Sequence, residues 1–353
     1  MKKVMCVFIL ISSMLLVSCG GSKPPIIELD IAYHWEANDM TRNAAWLCSG
    51  VYNDMVYYVQ DLPTDFKVRF LTFEGKEVRS ISIKKGKGPG EAISTLGIRI
   101  FEDTIYFSDM QLARISIFTI DGTFKESIEF DQDSGLVVSL DYCNGPMAFQ
   151  SLTHTKLGLM DMKTGKIIKS IKSSVNEANY VGTELNGGVT KYDPLTNHIY
   201  VGNLSLPYRI DVYDMDLQKL KTITYDLDGN YRPAKLVEGP DADGDMIVSS
   251  ISVDEKHIYA TKIGARYNKF ASDFKQMFDE YSGEILMFNK ETGKTESIFT
   301  CALLKNIRGF FTIIGITDTY IVVHMMGAGD YTEAFYKTKS EDFHQTIVVL
   351  KRP

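Results

Sequence analysis

Basic residues are in deficit: 38 Lys and Arg stand against 45 Asp and Glu, a formal net charge of −7. A chain so balanced has no positive field with which to gather nucleic acid, and none is expected among its partners. Long apolar runs are nearly missing too. The one present, Val4–Val17, is shorter than the ~20 residues a helix needs to span a bilayer. Cysteine is scarce, five in 353 residues and never spaced CxxC, which excludes a disulfide framework and a ribbon-type metal site. The six histidines, at 34, 154, 198, 257, 324 and 344, are scattered. There is no Gly-x-Ser-x-Gly elbow and no Gly-Lys-Ser/Thr phosphate loop. No catalytic set, metal site or cofactor is therefore expected.

What is present begins with a leader. Lys2 and Lys3 precede the apolar run, the arrangement of an export signal. Leu16-Val17-Ser18-Cys19-Gly20 resembles the lipobox of bacterial lipoproteins, in which the Cys is acylated and becomes the mature N-terminus. The alternative is an ordinary cleaved signal, or a short anchor helix with a chance Cys. The expected layout is a signal peptide at 1–18, a lipidated tether at 19–25 starting at Cys19, and one folded body at 26–353. Several acyl chains on one Cys hold a protein to a membrane durably. Gly-Gly-Ser-Lys follows Cys19 where an acidic run would resemble a surface-export signal, which favours the periplasmic face of an outer membrane over the cell surface. Once Cys6 leaves with the signal and Cys19 is acylated, Cys48, Cys143 and Cys301 remain. One disulfide is open to them, but small buried core residues are the expected reading.

Tyr and Phe are plentiful, 19 each, and 27 Gly accompany them, the composition of β structure with many turns. One element recurs six times, a polar turn followed by a short apolar strand, with anchors at Tyr57, Tyr106, Ala148, Tyr200, Tyr259 and Ile321. The anchors lie 49, 42, 52, 59 and 62 residues apart, which suits one four-stranded blade per repeat. A second element, an apolar strand entering a tight polar turn, recurs around Gly75, Gly122, Gly165, Gln218 and Gly293. His198 and His257 are copies of one repeat position, so they mark the repeat and not a metal pair. The last copy ends with Thr346–Leu350 as its third strand, while Ile26–Ile31 belongs to no complete repeat. The spare strand early and the missing strand late predict an all-β, six-bladed β-propeller closed by pairing the N-terminal strand with the last blade. Arg266–Tyr281 breaks the pattern with apolar residues at helical spacing, predicting a short inserted helix. Asn176–Pro194 and Asp226–Asp245 read as long loops.

The chain resembles the six-bladed propeller lipoproteins related to the NHL-repeat and TolB-like propellers. Gly86-Lys-Gly-Pro-Gly-Glu91, Asp103-Thr-Ile-Tyr106-Phe-Ser-Asp109 and Arg114–Gly122 carry the likeness, which is sharpest over residues 80–125. It implies a propeller used for binding.

The expected function is thus a membrane-anchored, non-catalytic binding or interaction propeller, its ligand an unknown protein, peptide or glycan. The alternatives are a propeller enzyme, a lyase or metal-dependent lactonase-like hydrolase acting at the central channel, and a purely structural envelope scaffold. Candidate ligand-binding residues are Arg114, Arg209 and Arg266, which equivalent places in three blades would gather into a basic ring for a carboxylated or phosphorylated ligand. Against that, Arg114 and Asp109 flank one turn and read as a structural ion pair. Gly86, Gly88 and Gly90 form a loop that reads as a blade crossing or, through its amides, as an anion cradle. Asp241-x-Asp243-Gly-Asp245 alternates oxygen ligands, but its Gly and its twelfth position, Ser252, depart from a calcium loop, and a solvated acidic loop is the favoured reading.

Overall fold

The computed structural model describes residues 23–40, 47–95, 97–134, 137–151, 155–172, 189–203, 208–227, 235–236, 242–246, 248–263, 265–267, 283–305, 308–328 and 344–353. The leader with Cys19, most of the two long loops, and residues 268–281 of the expected helix lie outside them.

Six antiparallel sheets follow one another, each a meander. Blade 1 is Ser49–Tyr52, Met55–Asp61, Asp65–Leu71 and Glu77–Lys84; blade 2 is Gly97–Phe101, Thr104–Asp109, Arg114–Thr119 and Phe124–Glu129. Blade 3 is Val137–Tyr142, Pro146–Ser151, Thr155–Asp161 and Ile167–Lys172; blade 4 is Val189–Asp193, His198–Gly202, Arg209–Tyr213 and Lys219–Thr224. Blade 5 takes Ile251–Val253, His257–Ile263, Gly283–Asn289 and Thr295–Thr300, and blade 6 takes Arg308–Ile316, Tyr320–Ala328 and His344–Lys351. The first strand of each blade neighbours the first strand of the next, and that of blade 6 neighbours that of blade 1, so six inner strands ring a central channel. The chain is an all-β, six-bladed propeller.

The strand sequences follow from where each strand sits. A second strand is covered by a neighbouring blade on both faces, and it reads as a near-continuous buried run, as in Met55–Asp61 and His257–Ile263. An outer strand keeps one solvated face, and Glu77–Lys84 alternates accordingly. The apolar core is divided among the seams between blades. Phe66, Phe70, Ile98 and Phe107 pack between blades 1 and 2, and Tyr208, Ile210, Ile258 and Phe288 between blades 4 and 5. The first hairpins of blades 1 and 2 turn on two residues each, Asn53-Asp54 (φ 45° and 57°) and Glu102-Asp103 (φ 43° and 57°), the left-handed pair whose twist matches the flanking strands.

Ring closure uses the N-terminal chain, with a shift from the expected residues. Ile31–Glu36 is the fourth strand of blade 6, with Ile31 opposite Leu350 and Glu36 opposite Thr346. Of the expected strand Ile26–Ile31, only Ile31 takes part. Ile26–Glu28 instead lies parallel to Thr295–Thr300, as a fifth strand on blade 5. Both segments are β-prone, and tertiary packing chooses between them: Trp35 sits against Gly75 of blade 1 and donates Nε1–H to Phe73 O at 3.3 Å. Just past this strand, Asp39 accepts from Tyr58 Oη at 2.8 Å and pairs with Arg69, tying the closure to blade 1.

Two other expectations change. Ala265–Tyr267, which includes the start of the expected helix, is a strand paired with Ala242–Met246, and Arg266 stands opposite Asp245. Helical spacing cannot register a pairing partner that lies well upstream. The same pairing makes Asp243 and Asp245 strand residues and not members of a loop; Asp241 lies outside the described residues. Cys48, Cys143 and Cys301 are buried, and no disulfide joins any two of them.

Candidate functional site: the central channel

The inner strands enclose a cavity of about 300 Å³ at the ring axis, lined by residues from all six blades. Hairpin register decides which residues those are. In five blades one of the cavity-lining residues lies directly opposite the repeat anchor on the second strand: Gly50 opposite Tyr57, Arg99 opposite Tyr106, Asp141 opposite Ala148, Lys191 opposite Tyr200, and Ser252 opposite Tyr259. Three successive blades thus bring a cation, an anion and a cation to one cavity.

Asp141 is the hub. Its Oδ2 accepts the Tyr192 amide at 2.8 Å and lies 3.3 Å from Lys191 Nζ, and its Oδ1 is 3.5 Å from Arg99 Nε. Arg99 also donates Nη1–H to Ile98 O at 3.0 Å and Leu47 O at 3.4 Å. Both cation–carboxylate distances exceed the 2.7–2.9 Å typical of a tight charged bond. The group carries one net positive charge inside an acidic chain. Tyr57, buried beneath Gly50, has its phenol pushed up by burial; Arg99 opposes that shift and Asp141 adds to it. Beside the charges lies an aromatic plate. Tyr142 packs between Phe101, at a centroid distance of 4.6 Å, and Tyr106, stacked at 4.9 Å. Phe101 and Tyr142 line the cavity, and Phe101 follows Arg99 by two residues on one strand, so the two share a side.

The inner strands are also stitched across seams. Ser139 Oγ accepts the Thr190 amide at 3.1 Å, Ser250 Oγ accepts the Ile313 amide at 2.6 Å, and Ser249 Oγ donates to Phe311 O at 2.6 Å. Asp141 is both a stitch of this kind and part of the charged group.

The residues singled out in the sequence lie elsewhere. Arg114 starts the third strand of blade 2 and donates to Lys87 O at 3.3 Å, Gly88 O at 2.8 Å and Glu91 O at 2.6 Å. It therefore holds the glycine-rich crossing by its carbonyls. In that crossing the Gly88 amide already donates to Glu91 Oε2 at 2.7 Å, and the Gly86 amide to Ala92 O at 3.1 Å. The expected Asp109–Arg114 ion pair is replaced by two separate uses. The Asp109 carboxylate accepts from the Ile93, Ser94 and Leu112 amides at 2.6, 3.2 and 3.0 Å and from Ser94 Oγ at 2.8 Å. Arg209 lies beside Asp211, Nε to Oδ2 3.5 Å, with Lys156 and Lys219 around the same buried carboxylate. Neither Arg114 nor Arg209 lines the cavity, because both sit on third strands, away from the axis. Arg266 lies on the small satellite sheet. Arg99, Asp141 and Lys191 were missed, although one signal pointed to them: each faces a recognised anchor across a first hairpin. Among the described residues no three His, Cys, Asp or Glu side chains gather as a metal would require, and the described cavity lining holds one carboxylate and no histidine.

No protein-family model and no curated protein matches the chain. Solved structures do. A member of the DUF4221 family from Bacteroides vulgatus is similar at a TM-score of 0.62 and 10% identity, over 94% of this chain and 99% of that one. A putative exported protein from Bacteroides fragilis is similar at a TM-score of 0.56 and 13% identity, over 93% and 100%. At these identities the likeness is one of fold.

Proposed function

We propose that the protein is a membrane-tethered, non-catalytic binding propeller of the cell envelope whose site is the central channel. One observation carries the reading: three blades deliver Arg99, Asp141 and Lys191 to a single cavity of about 300 Å³, the size of a small-ligand site. The cavity's titratable groups engage one another and the seam backbone, an arrangement for recognition. The tether rests on the lipobox-like stretch ending at Cys19, and on a neighbour of the same fold described as a putative exported protein. The periplasmic face, suggested by the residues after Cys19, belongs to the same proposal.

The test is a thermal-shift screen of small metabolites and short glycans on the protein starting at residue 23, run beside Lys191→Trp, which fills the cavity from a side chain about one-third exposed. A ligand at a hundred times its Kd stabilises by about 2.7 kcal/mol. Such a shift is expected in the wild type and lost in a Lys191→Trp protein that melts normally without ligand. Ligands that stabilise both proteins equally, or turnover of a bound compound, would overturn the reading. Mass spectrometry of membrane fractions checks the anchor: acylation at Cys19 is expected, with release of Cys19→Ala into the soluble fraction.

A further inference from the structure

We infer that the channel's ligand is a monocarboxylate carried on a flat ring, with the carboxylate held between Arg99 and Lys191 and the ring laid on Phe101, which Tyr142 backs. The inference rests on the channel being the site and adds the chemistry of what enters it.

Charge comes first. Two cations and one carboxylate leave one positive charge, which a single negative charge neutralises and a doubly charged group overshoots. The cations are also available. Lys191 has three N–H donors, and its one carboxylate neighbour among the described residues is at 3.3 Å. The Arg99 fork has five donors; Nη1 serves two carbonyls, and Nε faces Asp141 at 3.5 Å. A planar carboxylate with two oxygens matches two such donors, on the strands that flank the strand of Asp141, better than a compact point charge does. Asp141 cannot leave to make room, since the Tyr192 amide holds it at 2.8 Å, so an incoming anion joins the group as a second carboxylate.

Shape comes second. Along one strand, residues two apart lie roughly 7 Å apart on the same side. Phe101 is that far from Arg99, and Tyr142 packs on Phe101 at 4.6 Å. The plate therefore begins about one ring-width from Arg99, on the same side of the strand. An aromatic face accepts either an aromatic ring or the C–H face of a sugar ring. The shared chemistry is thus a carboxylate one ring away from an apolar face. Ser252, in the same lining, supplies a hydroxyl for a ring substituent.

The experiment measures binding to the intact folded chain by calorimetry and ligand-observed NMR. Its probes are benzoate and D-glucuronate, their neutral counterparts benzyl alcohol and D-glucose, and inorganic phosphate. One of the two carboxylates is expected to bind at least about tenfold tighter than its neutral counterpart and than phosphate, and which of the two it is tells an aromatic acid from an acidic sugar. Arg99→Gln and Lys191→Gln should each weaken it about tenfold, as losing one charged partner in a half-buried site does. Tyr142→Ala should weaken it while leaving phosphate unchanged. Asp141→Asn keeps an acceptor for the Tyr192 amide and removes the like charge, so carboxylate affinity should rise about threefold or more; a purely structural Asp141 would lower it or leave it alone. Equal binding of the neutral ring, tighter binding of phosphate, indifference to Tyr142→Ala, or no binding of either carboxylate would each overturn the inference. If the metabolite screen meanwhile finds a neutral ligand that Lys191→Trp excludes, the channel reading survives and only the carboxylate assignment falls.

Discussion

His324 gives the most quantitative handle on this fold. It sits in the middle of the second strand of blade 6, opposite Thr312 on one side and Ile347 on the other, fully covered. Neither ring nitrogen has a hydrogen-bond partner of good geometry, and Thr312 Oγ1 and Gln345 Oε1 are buried and unpartnered on the neighbouring strands. Burial holds the ring neutral and lowers its pKa from 6.5 to about 4; Gln345, which favours the protonated ring, offsets only part of that. The sign follows from proton counting. Below pH 6.5 the unfolded chain takes up a proton that the folded chain refuses until about pH 4, so stability is intact above 6.5 and falls as the pH is lowered through that window. At 1.36 kcal/mol per pKa unit, the loss is about 2 kcal/mol at pH 5 and about 3 kcal/mol at pH 4. The assay is urea unfolding at pH 7.5 and pH 5 for the wild type and for His324→Leu, with His324→Asn as a second variant. His34, whose pKa burial also lowers, and every carboxylate are common to all three proteins and cancel in the difference. The wild type should lose about 2 kcal/mol more than His324→Leu between the two pH values. A difference below about 0.5 kcal/mol, or an imidazole NMR titration centred near its ordinary value, would refute the reasoning.

Four other outcomes follow from particular contacts. Lys290 and Asp193 form a buried ion pair that joins blade 5 to the inner hairpin of blade 4, so Lys290→Met, which leaves the carboxylate alone, should cost about 3–5 kcal/mol by urea unfolding, and Lys290→Met with Asp193→Leu much less. Arg352 ties the chain end to Asp254 and Tyr259 of blade 5 and to Thr317 O, and Arg352→Ala should lower stability by about 2 kcal/mol while hydrogen exchange rises in both blades 5 and 6. Arg114→Ala should cost a similar ~2 kcal/mol and expose the Gly86–Glu91 crossing to proteolysis, with no effect on channel ligands. Burial pushes the Cys48 thiol up to about 12 and the Cys143 and Cys301 thiols upward as well, so in the chain lacking residues 1–22 a thiol reagent at pH 8 should label all three only after unfolding; rapid labelling of the folded protein would contradict their placement.

Much of the architecture was legible because it is written locally. The anchors Tyr57, Tyr106, Ala148, Tyr200, Tyr259 and Ile321 all fall on second strands, whose burial on both faces demands the apolar run that marks them. Turn residues such as Gly75, Gly122, Gly165 and Gly293 all take positive φ, which few other residues tolerate. Misreadings came where a partner distant in sequence decided the outcome. The Arg114 guanidinium went to loop carbonyls more than twenty residues away and not to the adjacent Asp109. The first two residues of the expected helix, Arg266 and Tyr267, gave way to strand pairing with Ala242–Met246, and the rest of it lies outside the described residues.

By itself the sequence determined six repeats, their turns, and a ring closed by a strand from its own N-terminal end, because alternation, turn chemistry and the count of strands are properties of short segments. Only the tertiary structure decided that Ile31–Glu36 and not Ile26–Glu28 closes blade 6, and that Arg99, Asp141 and Lys191 meet at the axis. The first outcome is a choice of sheet, and the second turns on register. A shift of one residue in a hairpin swaps the two sides of a strand, and which shift prevails depends on packing between blades far apart in the chain.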